Sequence, residues 1–221
     1  MIALDPDRTL ALSYVSAARR PALAALWRLD VALGAALQGG REPLISQIKL
    51  AWWRDSLARL DTEKAPAEPV LQDVAAFVLP NLVSGEQLAR MEEGWSVLLG
   101  QDPLGAAELE AYAVGRGARL FRYSASLLGY PMGEVATCAG EGWALADLAR
   151  NSNPVDGRAA LAAAAARLAD IAAQRWPAPL RPLGMLAVLA RRDARRGLEA
   201  LERPGAPARM ARMLRHRLTG R

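Results

Sequence analysis

The chain has 221 residues, of which 52% are hydrophobic, and it carries a formal net charge of +5. This length predicts a single domain over residues 1–221, and an apolar content made largely of Ala and Leu predicts an all-α protein. Cys138 is the only cysteine, which excludes an intrachain disulfide and a cluster of thiolate metal ligands.

The first predicted helices are marked by capping residues and prolines. Asp7 can cap a helix that runs through Tyr14, and Pro21 lies in the first turn of a second helix. The second helix is predicted to reach about Gln38, ahead of two glycines. Pro43 opens a third helix, which is followed by a surface loop over residues 61–69. The helical period predicts that one face of the third helix is buried, formed by Leu44, Ile48, Trp52 and Leu57.

The rest of the chain also has the helical period. Ser84 and Gln87 form a capping box for a helix that is predicted to end at Leu99. Gly115 and Gly117 lie inside a long helix over residues 104–129, where glycine is unfavourable unless a neighbouring helix or a ligand comes close. Four more helices are predicted, over residues 133–151, 157–175, 182–201 and 207–218.

Arginine is concentrated from about residue 180 onwards. A solvated helix face is one interpretation, and a membrane surface or a protein partner is the other. Nucleic acid is not expected, because no aromatic residue is interleaved with these arginines. We expect a cytoplasmic protein without a signal peptide or a transmembrane helix, with peripheral contact to the inner face of a membrane as the alternative.

Three segments carry more information than helix packing alone. They are Tyr14–Trp27, Ile48–Asp55 with its Trp-Trp-Arg-Asp motif, and Gly142–Asn151. In that order and spacing they resemble the squalene and phytoene synthase family, which are head-to-head prenyl synthases. The resemblance extends from about Asp7 to Asn151, with a looser match over the C-terminal helices.

This resemblance implies an isoprenoid-synthase-like helical bundle with a central apolar cavity. In active members two Asp-x-x-x-Asp motifs hold Mg²⁺ against a prenyl diphosphate. The first motif should fall on residues 34–38, where both acids are absent. The second keeps Asp147 but has Asn151 in the place of its other acid. The nearest acid to the first motif is Asp30, which has no carboxylate partner in its vicinity along the chain.

The loss of these acids resembles one branch of the family, the squalene/phytoene-synthase-like assembly factors of respiratory complex I and their bacterial relatives. The resemblance therefore implies a non-catalytic protein that binds an isoprenoid or lipid tail or acts in assembly, with no cofactor. An active prenyltransferase that condenses farnesyl or geranylgeranyl diphosphate with Mg²⁺ is the first alternative, using Asp147 and Asp30. A helical interaction protein without a ligand is the second.

Candidate site residues follow from the same three segments and from the glycines. Asp30, Asp147 and Asn151 are the remnants of catalytic acids, and Asp147 has the plain alternative of an exposed or Arg150-paired residue. A tryptophan-lined cavity suits a polyprenyl chain, although a single tryptophan is more often simply part of the core. The candidates for cavity or ligand contact are Tyr14, Arg20, Trp27, Trp52, Tyr112, Gly115, Trp143, Asp147 and Arg150.

Overall fold

The computed structural model describes residues 2–37, 43–81, 83–100, 103–130, 133–169, 171 and 174–221. Every regular element in these residues is a helix, which confirms the all-α class. The α-helices in chain order are α1 Pro6–Ser13, α2 Arg20–Ala35, α3 Pro43–Arg59, α4 Pro69–Phe77, α5 Gly85–Ala89, α6 Met91–Ser96, α7 Ala106–Tyr112, α8 Arg119–Leu127, α9 Glu134–Asn151, α10 Pro154–Arg167, α11 Arg181–Arg196 and α12 Pro207–Thr219.

Helix starts follow local chemistry closely. The carboxylate of Asp5 accepts hydrogen bonds from the N–H groups of Asp7 and Arg8, so Asp5 caps α1 and the prediction of Asp7 as the cap is wrong. Ser84 and Gln87 form the predicted capping box at the start of α5. Side chains that accept from free N–H groups therefore define where these helices begin.

Helix ends were predicted less well. The helix expected from Ser84 to Leu99 is divided at Arg90 into α5 and α6, followed by a 3₁₀ turn. α2 ends at Ala35, and the predicted end at Gln38 lies outside the described residues. Pro154 begins α10 instead of Gly157, with Asn153 as its cap, because Pro fits the first helical turn. α10 and α11 also end earlier than predicted.

The predicted long helix over residues 104–129 contains a π-helical segment, Ala113–Ala118, between α7 and α8. A Cβ on Gly115 would lie 2.7 Å from the Cα of Gly94 in α6, and a Cβ on Gly117 would overlap the main chain of Gly140 in α9. Two helices therefore approach this segment at backbone distance, as its glycines predicted. The neighbour at each glycine is a helix backbone.

One cluster of buried apolar side chains extends from Ala11 in α1 to Met213 in α12. Trp27 lies within it, and its indole N–H donates to the hydroxyl of Ser124 in α8 at 3.1 Å. The hydrogen bond satisfies the polar end of a large buried ring. Among the described helices, none is long and apolar enough to cross a bilayer.

The predicted buried face of α3 is wrong. Leu44, Ile48 and Trp52 are 62%, 61% and 43% exposed, while Leu57 is buried. At 100° per residue Leu57 lies about 220° around the helix from Leu44, so the four residues cannot share one face. The buried side instead carries Ser46, Leu50, Ser56 and Leu57. We call Leu44, Ile48 and Trp52 the α3 apolar stripe.

Candidate functional site

Four charged side chains from separate parts of the chain meet in the centre of the protein. Arg8 comes from α1, Asp30 from α2, Arg116 from the π-helical segment and Asp147 from α9. Arg8, Asp30 and Arg116 are buried, and the Asp147 side chain is 30% exposed. We call these four residues the ion cluster.

Arg116 joins the two acids of the cluster. Its Nε and Nη2 atoms each donate to one carboxylate oxygen of Asp30 at 2.9 Å. The same Nη2 lies 2.7 Å from Oδ2 of Asp147. This planar two-point contact is the geometry in which arginine binds a carboxylate most strongly. One guanidinium therefore lies between the two acids that the family resemblance singles out.

Arg8 contacts the same acids from the other side. Its Nη2 lies 3.2 Å from Asp30 and 3.8 Å from Asp147, while its Nε lies 3.1 Å from Asp5. Its Nη1 is buried and has no hydrogen-bond partner among the described residues. A buried donor of this kind is unfavourable unless a ligand or water accepts from it.

The protonation states of the cluster follow from burial and from its ion pairs. Burial raises the pKa of Asp30, but the charges and hydrogen bonds of Arg116 and Arg8 outweigh burial and hold that pKa below its ordinary value. Burial lowers the pKa of Arg116, and the nearby Asp30, Tyr112 and Asp147 more than reverse that effect. Asp30 and Arg116 therefore stay charged at neutral pH.

Three aromatic rings enclose the guanidinium of Arg116. Its central carbon lies 4.2 Å from the ring of Trp95, 4.8 Å from that of Trp143 and 5.6 Å from that of Tyr112. Arg116 also donates to the hydroxyl of Tyr112. Burial raises the pKa of that hydroxyl, against the effect of Arg116, so it remains protonated at neutral pH. These rings stabilise the charge of the buried guanidinium.

A cavity of about 520 Å³ opens beside the ion cluster, and we call it the inner cavity. The Nε1 of Trp95 is buried at its wall without a hydrogen-bond partner among the described residues. The lining is mixed polar and apolar: Arg8, Asp30, Val31, Gly34, Ala35, Leu37, Trp95, Leu98, Leu104, Tyr112, Arg116, Asp147, Leu148, Asn151, Ser152, Asn153 and Asp156. The inner cavity thus differs from the apolar cavity that the resemblance implies, because charged groups form part of its wall.

A second cavity of about 390 Å³ lies on the other side of Asp147 and Trp143. Arg209 lies at its wall and donates to Asp7 at 2.9 Å and to Asp193 at 2.7 Å. The buried acids around this cavity are again matched by arginines. Its charges connect α1, α11 and α12 and serve the packing of the C-terminal helices.

Several predicted site residues lie near the ion cluster. Tyr112, Trp143 and Asp147 contact Arg116 as described. Asn151 lines both cavities, and its amide donates to the main-chain carbonyl of Asp147 at 3.0 Å. Asn151 therefore stabilises the end of α9.

The predicted pairing of Asp147 with Arg150 is wrong. Arg150 points to α11 and donates to Asp193 at 2.6 Å, where it lines the second cavity. Asp147 is partly buried and is paired with Arg116 and Arg8. Asp30 has no carboxylate near it along the chain, but the fold brings Asp147 to the same guanidinium.

The other candidates lie outside the inner cavity. Trp27 belongs to the core, and Gly115 packs against Gly94. Tyr14 is exposed beneath the guanidinium of Arg217. Arg20 donates to the main-chain carbonyl of Val15 at 2.8 Å and stabilises the turn between α1 and α2.

Trp52 lies at a different cavity from the ion cluster. A groove of about 530 Å³ runs between α2 and α3, and its lining is almost entirely apolar: Ile2, Ala32, Ala35, Ala36, Ile48, Lys49, Trp52 and Trp53. We call it the α2–α3 groove. Ala35 lines both this groove and the inner cavity, so both spaces border the end of α2.

Sequence reasoning missed Arg8, Arg116 and Trp95. Arg116 lies between Gly115 and Gly117 in a mostly apolar stretch, and a charged residue in such surroundings indicates a buried ion pair. That signal was available from the sequence. The identity of its partner was not, since Asp30 is 86 positions away.

No set of three or more His, Cys, Asp or Glu side chains in the described residues is arranged to hold a metal ion. Comparisons with protein-family models, with curated proteins and with solved structures find no match to this chain. The likeness to the squalene and phytoene synthase family therefore depends on the three sequence segments.

Proposed function

We propose that this protein is a non-catalytic relative of the squalene and phytoene synthases that binds an isoprenoid or lipid tail. The observation that carries the proposal is the position of Arg116 between Asp30 and Asp147. A prenyl synthase needs Mg²⁺ between acids of this kind to stabilise the leaving diphosphate. Here a side-chain cation lies between Asp30 and Asp147.

The charge balance of the ion cluster argues against metal chemistry. Arg8 and Arg116 carry two positive formal charges and are already paired with the carboxylates of Asp5, Asp30 and Asp147. Binding Mg²⁺ would require the acids to release both guanidinium groups inside a buried site, which is strongly unfavourable. The alternative of an active prenyltransferase is therefore disfavoured.

The remaining space suits a ligand with a neutral polar head and an apolar tail. Arg8 Nη1 and Trp95 Nε1 are unpaired donors at the inner cavity, and each can donate to a hydroxyl or carbonyl oxygen. The tail would leave the inner cavity past Ala35 and lie in the α2–α3 groove against Ile48 and Trp52. Each of the two volumes is within the range of small-molecule sites.

A single substitution tests this path. Ala35 is exposed and lines both spaces, so Ala35→Trp should add bulk where both border α2 without disturbing the core. Farnesol binding, followed by quenching of tryptophan fluorescence, is expected to weaken about tenfold or more in this variant. Ala76→Trp on α4 adds the same bulk at an exposed position away from both spaces and should bind farnesol like the wild type.

Mass spectrometry of lipid extracted from the purified protein supplies the second measurement. We expect an isoprenoid or acyl lipid with the wild type and with Ala76→Trp, and much less with Ala35→Trp. Absence of lipid in the extracts of all three proteins, together with no farnesol binding, would contradict the proposal and favour a helical interaction protein.

A further inference from the structure

A pocket of about 330 Å³ between α11 and α12 has a high concentration of positive charge. Apart from its basic residues it is lined by Ile171, Gln174, Trp176 and Val188, and no Asp or Glu lines it among the described residues. We call it the basic pocket. Its basic residues are Arg191, Arg192, Arg195 and Arg196 from α11, Arg212, Arg215 and His216 from α12, and Arg221.

Most of this charge has no counter-ion. Glu202 pairs with Arg192 at 2.7 Å and with Arg196 at 2.9 Å. In the part of the chain that the structure describes, no carboxylate lies within 4 Å of the side-chain nitrogens of Arg191, Arg195, Arg212 or Arg215. Burial, and then the charges of Arg195 and Arg212, lower the pKa of Arg191. An anion in this pocket would relieve that repulsion.

Two buried side chains in the pocket wall lack hydrogen-bond partners among the described residues. They are Trp176, through Nε1, and His216, through both ring nitrogens. The two rings meet edge to face with centroids 6.1 Å apart. An unpaired buried donor is unfavourable, so these groups indicate a place for an acceptor.

His216 is neutral at physiological pH. Burial lowers its pKa to about 4. The main-chain carbonyl of Arg221 raises the pKa without forming a well-aligned hydrogen bond, and the charge of Arg181 lowers it further. A neutral imidazole offers one N–H donor and one acceptor. The positive charge of the pocket therefore comes from its arginines, and His216 contributes a dipole.

The frame of the pocket is formed without a ligand. The main-chain N–H of Trp176 donates to the carbonyl of Gly220 at 2.9 Å. Arg181 at the start of α11 donates to the carbonyl of Arg217 at 3.0 Å near the end of α12. A Cβ on Gly184 would overlap the ring of His216, so glycine there admits that ring. A preformed frame reduces the entropy that binding would cost.

We propose that the basic pocket binds a multiply charged phosphate group. The guanidinium fork matches phosphate oxygens in two-point contacts, and at least two arginines from each helix are free to make them. The indole N–H of Trp176 supplies a further donor at the pocket wall. This site is separate from the inner cavity and goes beyond the proposed function.

The phosphate can belong to a soluble molecule or to a phospholipid headgroup. On α12, Met210, Leu214 and Leu218 are exposed at a spacing of four, and Leu218 is 79% exposed. They form an apolar stripe on the same helix as Arg212 and Arg215, as in helices that lie on a bilayer surface. The two sources are distinguished by testing soluble phosphate and vesicles separately.

Inorganic pyrophosphate is the soluble probe, titrated calorimetrically against a chloride control at equal ionic strength. We expect saturable binding by the wild type. The double variant Arg191→Gln/Arg212→Gln should raise the Kd about tenfold or more. The double variant Arg90→Gln/Arg122→Gln removes the same charge from exposed positions elsewhere and should leave the Kd unchanged. Trp176→Phe, which removes the N–H donor together with part of the ring and leaves the arginines in place, should weaken binding less than the double variant.

Flotation with vesicles forms the second arm. Vesicles of phosphatidylcholine containing phosphatidic acid are compared with vesicles of phosphatidylcholine alone. A headgroup source predicts binding to the acidic vesicles that is lost in Arg191→Gln/Arg212→Gln and reduced in Leu214→Ser/Leu218→Ser, whereas a soluble source predicts pyrophosphate binding without flotation. Absence of both kinds of binding, or equal losses in the pocket and control variants, would overturn the proposal.

Discussion

Arg116 and Asp30 form a two-point ion pair at the centre of the protein, with both N–O distances at 2.9 Å. The two residues are 86 positions apart, and both are almost fully buried. Because Asp147 shares the same guanidinium at 2.7 Å, one arginine contacts two acids and joins α2, the π-helical segment and α9. Arg8 supplies the second positive charge of the cluster.

Removing that guanidinium should destabilise the fold. Arg116→Met leaves Asp30 buried with Arg8 as its only counter-charge, and we expect the free energy of unfolding to fall by about 3 kcal/mol or more. Urea denaturation measures the change. The exposed pair of Arg54 and Asp55 supplies the control, since Arg54→Met should change stability by less than about 1 kcal/mol. Similar losses of stability in the two variants would show that the buried ion pair contributes no more to stability than the exposed one.

Stability should also depend on pH through the single histidine. Burial lowers the pKa of His216 to about 4, against about 6.5 in an unfolded chain. Between these values the unfolded state binds more protons than the folded state, so stability is full above pH 6.5 and falls as pH decreases toward 4. The full effect is about 3 kcal/mol.

His216→Phe isolates this effect, because the sequence has no other histidine. The difference in free energy of unfolding between wild type and variant should change between pH 7 and pH 5, where carboxylates contribute little. The measurements belong in a phosphate-free buffer, so that no anion occupies the basic pocket. A difference that stays constant over this range would refute the assignment of a buried neutral imidazole.

The glycine contacts of the π-helical segment predict a steric effect. Gly115→Ala places a methyl group against the backbone of Gly94 and should lower the free energy of unfolding by about 1–3 kcal/mol. Gly100→Ala is the matched control, because its nearest contact is 3.8 Å away and its φ is negative. Thermal or urea unfolding of the two variants should separate them. Equal stability of the Gly115→Ala and Gly100→Ala variants would contradict a tight backbone contact between Gly115 and Gly94 in α6.

The helix pattern of this chain was largely predictable from local chemistry. Pro43 and Pro207 begin helices at the predicted places, and Ser84 with Gln87 caps α5. Such signals act within one turn, so a single sequence contains them. Gly115 and Gly117 also predicted close packing correctly.

The exposed side of α3 and the partners of Asp30 were not predictable in the same way. Which side of α3 is buried depends on the helices packed against it, and its stripe of Leu44, Ile48 and Trp52 was wrongly assigned to the core. Asp30 meets Arg116 only through the tertiary fold. A local reading of acidic spacing cannot detect that an arginine from another helix lies between two acids.

The most direct test of the central claim is diphosphate release. Wild-type protein incubated with farnesyl diphosphate and Mg²⁺ is expected to release no more pyrophosphate than heat-denatured protein, because Arg116 lies between the only two candidate metal-binding acids. Release above that background would contradict the account if it is abolished by Asp147→Ala and is absent from controls without Mg²⁺.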